Sequence, residues 1–491
     1  MAEVYIAKTD VCKYPEHDFN PDTQYPEYPF GNNLNAEQNV AYDLVRKCLY
    51  GLNYDRENYG TPHWNPLGHL IEKGNTVVIK PNLVMHKNGN SNITQDAMEC
   101  LITHPSCIRA ICDYCIIALN GTGRIIIADA PMQGCNFREL VKKMHLDELI
   151  HFYEDKGIAV ELLDLRQYQA KFDRNKVITH KEYTSSRGVI VHMGEKSAHV
   201  GSGCNQQYQV SDYSKEETMQ HHHDNVHDYE IAETILQADV IINFCKPKTH
   251  RLAGITAAMK NMVGVTYNKA TLPHRTAGSI SEGGDAYQHK SRLKRAADWA
   301  LTQKIKAENS HSLKIATFYR FVYGAFLVAG RKLAKDTYYI GSWYGNDTIW
   351  RTVVDLNYIV KYADQQGHLQ DTPQRKLLHL GDMIIAGERN GPVSPEPKKL
   401  GVILASEDAA AFDITFCRLM GLPYEKIPMC RSICDNKTFI CWKEPELVSN
   451  FSQINGRLCD ISFPETWKFR LHDAWKESME IQSRRSTVTE K

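Results

Sequence analysis

Residues 231–254 read IAETILQADVIINFCKPKTHRLAG, and the five residues Val240–Phe244 (VIINF) decide the fold class. A run this short and this rich in β-branched and aromatic residues is a strand, and one that is almost continuously apolar is buried on both faces. Ile231–Gln237 before it has helical character, CKPKTHRLAG after it is a polar strand-end segment, and a helix is expected to resume over Gly254–Val263. The pattern recurs upstream. Thr76–Lys80 (TVVIK) runs into the polar loop Pro81–Thr94, Arg124–Ala128 (RIIIA) runs into Asp129, and Ala159–Leu163 forms a further strand. Between them Pro105–Leu119 repeats apolar residues at intervals of three and four, with Pro in the first turn and Asn120-Gly121 at the end, which marks a helix. Another begins at Phe137, and strands at Leu377–Leu380 and Val402–Ala405 with a helix over Ala409–Met420 resume the rhythm. Such alternation predicts an α/β fold: mostly parallel sheet with helices on both faces.

Five parts follow from this rhythm: an N-terminal extension (1–70), a first α/β part (71–286), a basic and apolar helical insertion (287–340), a second α/β part (341–430) and a C-terminal tail (431–491) ending in the polar QSRRSTVTEK. Residues 166–228 are polar and are expected to form strands or loops outside the sheet. The chain of 491 residues balances 58 Lys and Arg against 58 Asp and Glu, so it presents no global field to a polyanion, and nucleic acid is not an expected partner. Its 14 cysteines are too dilute for a disulfide scaffold, and the N-terminus lacks the pattern of a secretory leader, so a cytoplasmic protein with free thiols is expected. No uncharged apolar run is long enough to span a bilayer, the nearest being Ile315–Gly330, interrupted by Arg320.

In open α/β sheets ligands collect at the carboxyl ends of the parallel strands. Here those ends are rich in cations and amides. Lys80, Asn82, His86 and Lys87 follow one strand; Lys246, Lys248, His250 and Arg251 follow another, with Lys260, Asn261, His274 and Arg275 downstream. Clustered Lys and His beside Asn amides are the components of an anion cradle for phosphate or carboxylate. A single strand-end lysine reads equally as a solvated residue, so the weight rests on the cluster. Carboxylates also follow strands: Asp129, Asp382, and Asp355 with Asn357 in TVVDLN; each is also an ordinary cap or turn residue, and together they are candidates to hold a divalent metal. Asp413 lies awkwardly inside a helix. His221, His222, His223 and His227 form the densest histidine cluster, with His223 and His227 spaced to share a helix face as metal ligands, against the alternative of a His-rich polar loop. Cys107, Cys112 and Cys115 have an iron–sulfur-like spacing, but Cys112 and Cys115 sit on an apolar helical stripe and read as buried thiols, and no iron–sulfur cluster is expected; Cys430, Cys434 and Cys441 are looser still.

VIKPNLV from Val78, Thr103-His104-Pro105, RIIIADAP, ADVIINFCKPKTHRLAGITAAMKNMVGV, GDMIIAGERNGP and DAAAFDITFCRLMG together resemble the family called domain of unknown function 362, over roughly residues 75–425. GSWYGNDTIWRTVVDLN resembles a subgroup feature, one that accompanies bacterial surface-polysaccharide genes. The resemblance implies a shared site lined by Lys80, Asn82, Lys246, Lys248, His250, Lys260 and Asn261, with Asp129, Asp382 and Asn390 as companions. The ferredoxin-like insertion of many relatives has no counterpart here.

Two functions are weighed. The first is an enzyme acting on a small anionic metabolite, such as a nucleotide sugar, sugar phosphate or carboxylate. Asn82, Lys246, Arg251, Lys260, Asn261, His274, Arg275 and Asn390 would bind it, and Lys80, Lys248 or His250 would move a proton or stabilise charge. Transferase, lyase and isomerase chemistry stay open. The second is a non-catalytic binding or scaffold protein that touches an anionic membrane surface through residues 311–335. That apolar stretch reads first as a helical hairpin packed on the core.

Overall fold

In the computed structural model, which describes residues 3–435 and 443–478, Val240–Cys245 is a central strand of an eleven-stranded sheet. It pairs in parallel with Thr76–Pro81 on one side and Lys376–Asn390 on the other; Arg124–Asp129 and Val160–Asp164 continue the parallel order outward. Alternate residues serve opposite faces. Val77, Ile79, Ile125, Ile127, Val240 and Ile242 enter one core with helices Val40–Gly51 and Pro105–Leu119, while Val78, Ile126 and Ile241 enter another with helix Ile349–Tyr362. Burial on both faces is the physical reason for the unbroken apolar runs.

Lys376–Asn390 turns back into Ser394–Ser406 as a long antiparallel hairpin, and Glu3–Lys8 pairs antiparallel with the latter. The N-terminal residues are therefore a strand of the sheet, not an appendage, and Glu446–Ser449 from the tail adds beside them in parallel. Residues 166–228 form small structures outside the sheet, as expected: the hairpin Tyr168–Phe172/Ile178–Tyr183 and a three-stranded sheet built on Val226–Ala232. Cys441 and the stretch 482–491 lie outside the described residues.

Three local expectations change. TVVDLN is not a strand end but part of helix Ile349–Tyr362, where buried Asp355 accepts from Ser197 Oγ (2.5 Å), Ala198 N (2.7 Å) and Tyr229 Oη (2.9 Å), and burial raises its pKa to about 7. His223 and His227 share no helix face, because Asp224 adopts a left-handed conformation that turns the chain into a hairpin. There His222 and His227 face each other, Nδ1 to Nδ1 at 3.2 Å, and His223 is exposed. The insertion is a pair of helices, Arg292–Asn309 and Leu313–Leu333, but the second buries only Ala316 and Gly330 and leaves its outer side bare rather than packing on the core. Cys107, Cys112 and Cys115 are buried in helix Pro105–Leu119.

One buried ion pair ties the first and last thirds of the chain to the centre. Lys246 Nζ donates to Asp382 Oδ2 (2.7 Å) and Ile385 O (3.1 Å), and Asp382 also accepts from His104 N (3.0 Å) and the Tyr14 hydroxyl. Removing one partner strands a buried charge. Asp382→Ala is expected to cost about 3–5 kcal/mol in urea unfolding. Lys246→Met combined with Asp382→Leu should recover most of that loss; if the double variant is no better than the single one, the pair is not an isolated electrostatic unit.

Candidate functional site

A cavity of about 1000 Å³ opens at the carboxyl ends of the parallel strands. Its wall carries seven lysines and two arginines against three carboxylates, so basic groups predominate there although the chain is neutral. One of those carboxylates, Asp129, is neutralised by Lys80 Nζ (2.7 Å) and also accepts from Leu83 N (2.7 Å) and Ala130 N (3.0 Å). The segment after KNMV passes close to this pair. A Cβ on Gly264 would lie 2.0 Å from Asp129 Oδ1 and 2.6 Å from Lys80 Nζ, which explains the glycine there.

Lys248, on the short strand Lys248–His250, donates to Leu101 O (2.5 Å) and Asn82 Oδ1 (3.3 Å) and has no ion-pair partner among the described residues. Burial lowers its pKa to about 7. Lys260 stands on the one-turn helix Ala258–Asn261 and has no hydrogen-bond or ion-pair partner among the described residues; burial lowers it to about 8. Among the described residues Lys269 donates only to Val263 O (3.2 Å), and burial lowers it to about 7. Burial thus pushes three lysines of one cavity down toward neutrality, and none of them forms an ion pair with a carboxylate among the described residues.

Two histidines in the wall are locked in opposite tautomers. His250 Nδ1 accepts from Leu252 N (3.0 Å) and Ala253 N (3.1 Å), so the proton sits on Nε2. His274 Nδ1 lies 2.7 Å from Leu272 O and must carry the proton to donate to it, which leaves Nε2 as a bare acceptor. Burial, followed by the Lys260 charge, keeps both neutral, with His274 lowered to about 3. The wall that carries Lys260 therefore also carries one neutral histidine with an Nε2–H donor and one with an Nε2 acceptor.

Amides connect these groups to the sheet. Asn82 Nδ2 donates to Asn261 Oδ1 (2.9 Å), Asn261 Nδ2 to Asn243 Oδ1 (2.8 Å), and Asn243 Nδ2 to Ala258 O (2.9 Å). Asp413 resolves its awkward place by accepting from Ala258 N (2.7 Å) and Met259 N (3.3 Å), which holds the turn that carries Lys260; burial raises it to about 8. Three polar atoms of the wall are buried without a partner: Arg251 Nε, Thr256 Oγ1 and Gln133 Oε1. Orphaned buried groups carry a cost that a ligand can remove.

Of the residues singled out in the sequence, Asn82, His86, Lys87, Asp129, Lys248, His250, Arg251, Lys260, Asn261 and His274 meet at this cavity. Lys80 and Lys246 lie beneath it in ion pairs, so they support rather than line it. Arg275 does not line the cavity but is buried behind its wall, donating to the lining residue Ser211 Oγ (3.0 Å), and Asn390, at the end of its strand, does not line it either. Asp129, Asp382, His223 and His227 do not converge: two are engaged by different lysines and two belong to the outer hairpin. Among the described residues, the one group of three such side chains close enough to share an ion is His17, His145 and Glu148, on the surface. Lys269 and Arg320 were not singled out as ligands. Nothing local marks Lys269, whereas Arg320 is conspicuous as the one charge inside the apolar run Ile315–Gly330, and it faces this cavity.

A mostly parallel sheet with a cation-lined cavity at its strand ends defines an α/β protein. Residues 161–418, more than half the chain, match the family described as a domain of unknown function (DUF362), and the chain belongs to that family. The match begins after the Lys80 and Asp129 strands, so these two lie outside it. No curated protein matches the chain.

Because Lys260 has a folded pKa of about 8 against an ordinary 10.5, its charged form weighs on the folded state, and stability from this group is full above 10.5 and lost as pH falls to about 8. Lys260→Met should therefore stabilise the unliganded protein at neutral pH by roughly 1–3 kcal/mol. The gain should shrink toward pH 10 in urea unfolding; a variant less stable than wild type at neutral pH contradicts the unpaired charge.

Proposed function

We propose that the chain is an enzyme that binds a small phosphate- or carboxylate-bearing metabolite in the strand-end cavity. One observation carries the reading: Lys248, Lys260 and Lys269 face a single cavity, and none has an ion-pair partner among the described residues. Desolvated cations lacking protein carboxylates are stabilised by an anionic ligand, which also raises their pKa values. Around that anion His250 Nε2–H donates to charge that develops in the reaction, and the bare Nε2 of His274 accepts a proton from the substrate. Asn82 and Asn261 fix polar groups of the metabolite, and Arg251 reaches a second anionic group. A sugar phosphate or nucleotide sugar suits both the cavity size and the surface-polysaccharide context implied by the family resemblance. The thirteen described cysteines, all free, suit a cytoplasmic setting.

Sulfate, which stays fully ionised near neutrality, is a simple probe. Titration calorimetry should show sulfate binding that takes up protons at pH 8, with affinity falling as pH rises through the window of about 7 to 8 set by the three lysines. His250→Ala should weaken it by about tenfold or more with little change in unfolding temperature, and Lys260→Ala should weaken it as much without lowering that temperature. Binding indifferent to pH and to both substitutions would falsify this reading.

A further inference from the structure

Helix Leu313–Leu333 is long and apolar enough to cross a membrane by length and composition, yet it is one arm of a hairpin whose other arm, Arg292–Asn309, is polar. Its two sides differ. Arg320 and Tyr323 point into the cavity, so this helix is part of the cavity roof. On the outer side lies a stripe spaced four and three apart: Lys314, Phe318, Phe321, Ala325, Val328 and Lys332, all exposed. Phe318 is 61% and Phe321 64% exposed, beside Ile315 at 53% and Trp299 of the partner helix at 52%. Large aromatic and aliphatic side chains gathered in this way are a patch that seeks a partner.

Charge selects the partner. Residues 287–335 contain eleven Lys and Arg against two acids, Asp298 and Glu308. Those of the first arm are largely spent: Lys294 pairs with Asp336 at 2.5 Å, Lys304 with Glu308 at 2.9 Å and Lys306 with Glu216 at 2.8 Å. On the second arm Lys314, Arg331 and Lys332 are exposed and have no carboxylate partner among the described residues. An apolar stripe bounded by free cations at both ends suits a helix lying in the plane of an anionic bilayer, its rings at the acyl boundary and its lysines at the headgroups. A second copy of the chain would bring the same cations face to face.

We propose that this helix docks the protein on an anionic lipid bilayer and that the cavity beneath it takes its anion from that surface, as a phosphate-bearing lipid. The substrate half of the proposal rests on the anion-binding reading above; the docking half does not. The cavity suits an amphiphile, since its cationic floor is bordered by apolar wall residues, among them Met132 and Phe172, which are exposed, together with Leu301 and Ile340. The hairpin Tyr168–Phe172/Ile178–Tyr183 meets the helical pair through Val177, Ala307 and Ala316, which joins the wall carrying Phe172 to the docking helix.

Flotation of the whole protein on vesicles of equal parts phosphatidylcholine and phosphatidylglycerol tests the docking. Wild type should float at low salt and lose at least about tenfold in partitioning on pure phosphatidylcholine or in Phe318→Glu/Phe321→Glu. Both rings are solvent-exposed, so that variant should keep its unfolding temperature and its sulfate binding. Lys260→Ala should float like wild type while losing sulfate. No flotation of wild type, equal flotation of the Phe variant, loss of flotation in Lys260→Ala, or a dimer dissociated by the Phe variant without vesicle binding would each overturn the docking. Hexyl phosphate should displace sulfate at least about tenfold better than inorganic phosphate. Equal potency overturns the lipid substrate, whereas absence of sulfate binding alongside normal flotation overturns the anion reading alone.

Discussion

Lysine charges taken out of water at the ends of parallel strands are the constraint on which the rest of the molecule depends. Each must be neutralised from within the fold or left for something from outside. Two are neutralised: Lys80 by Asp129 and Lys246 by Asp382, in pairs that also take up Leu83 N, His104 N and the Tyr14 hydroxyl and so bind remote segments together. Lys248, Lys260 and Lys269 are left, and desolvation moves all three toward neutrality. The paired lysines build the floor, and the unpaired ones give it a use.

That division was only partly legible. VIINF, TVVIK and RIIIA are strands because two-sided burial writes itself into consecutive residues, and the strand-end rule then points directly to Lys80, Asn82, Lys248 and His250. Whether a strand-end lysine is paired depends on a carboxylate far away in the chain: 49 residues for Lys80 and Asp129, 136 for Lys246 and Asp382. No local pattern carries that. The histidines show the converse error. A four-residue spacing suits a helix, but the left-handed Asp224 between them makes a hairpin, and His227 comes to face His222 instead of sharing a side with His223. Likewise TVVDLN has the residues of a strand and lies within a helix, because Asp355 finds three donors there.

The helical insertion shows how one element serves two surfaces. Arg320, which interrupts the apolar run, faces the cavity with Tyr323, and the stripe Phe318, Phe321, Ala325 and Val328 faces outward. A charge that argued against a membrane span is thereby consistent with a helix lying flat, its polar side toward the cationic site. The location of that site at the strand ends, beneath the hairpin, links the two.

The central proposal is that an anion sits on Lys260 in the strand-end cavity. Crystals soaked in selenate and measured at the selenium edge test it most directly. The account predicts an anomalous peak inside the cavity within hydrogen-bond distance of Lys260 Nζ, and none there in Lys260→Met. Peaks confined to surface lysines, or an unchanged cavity peak in the variant, would contradict it.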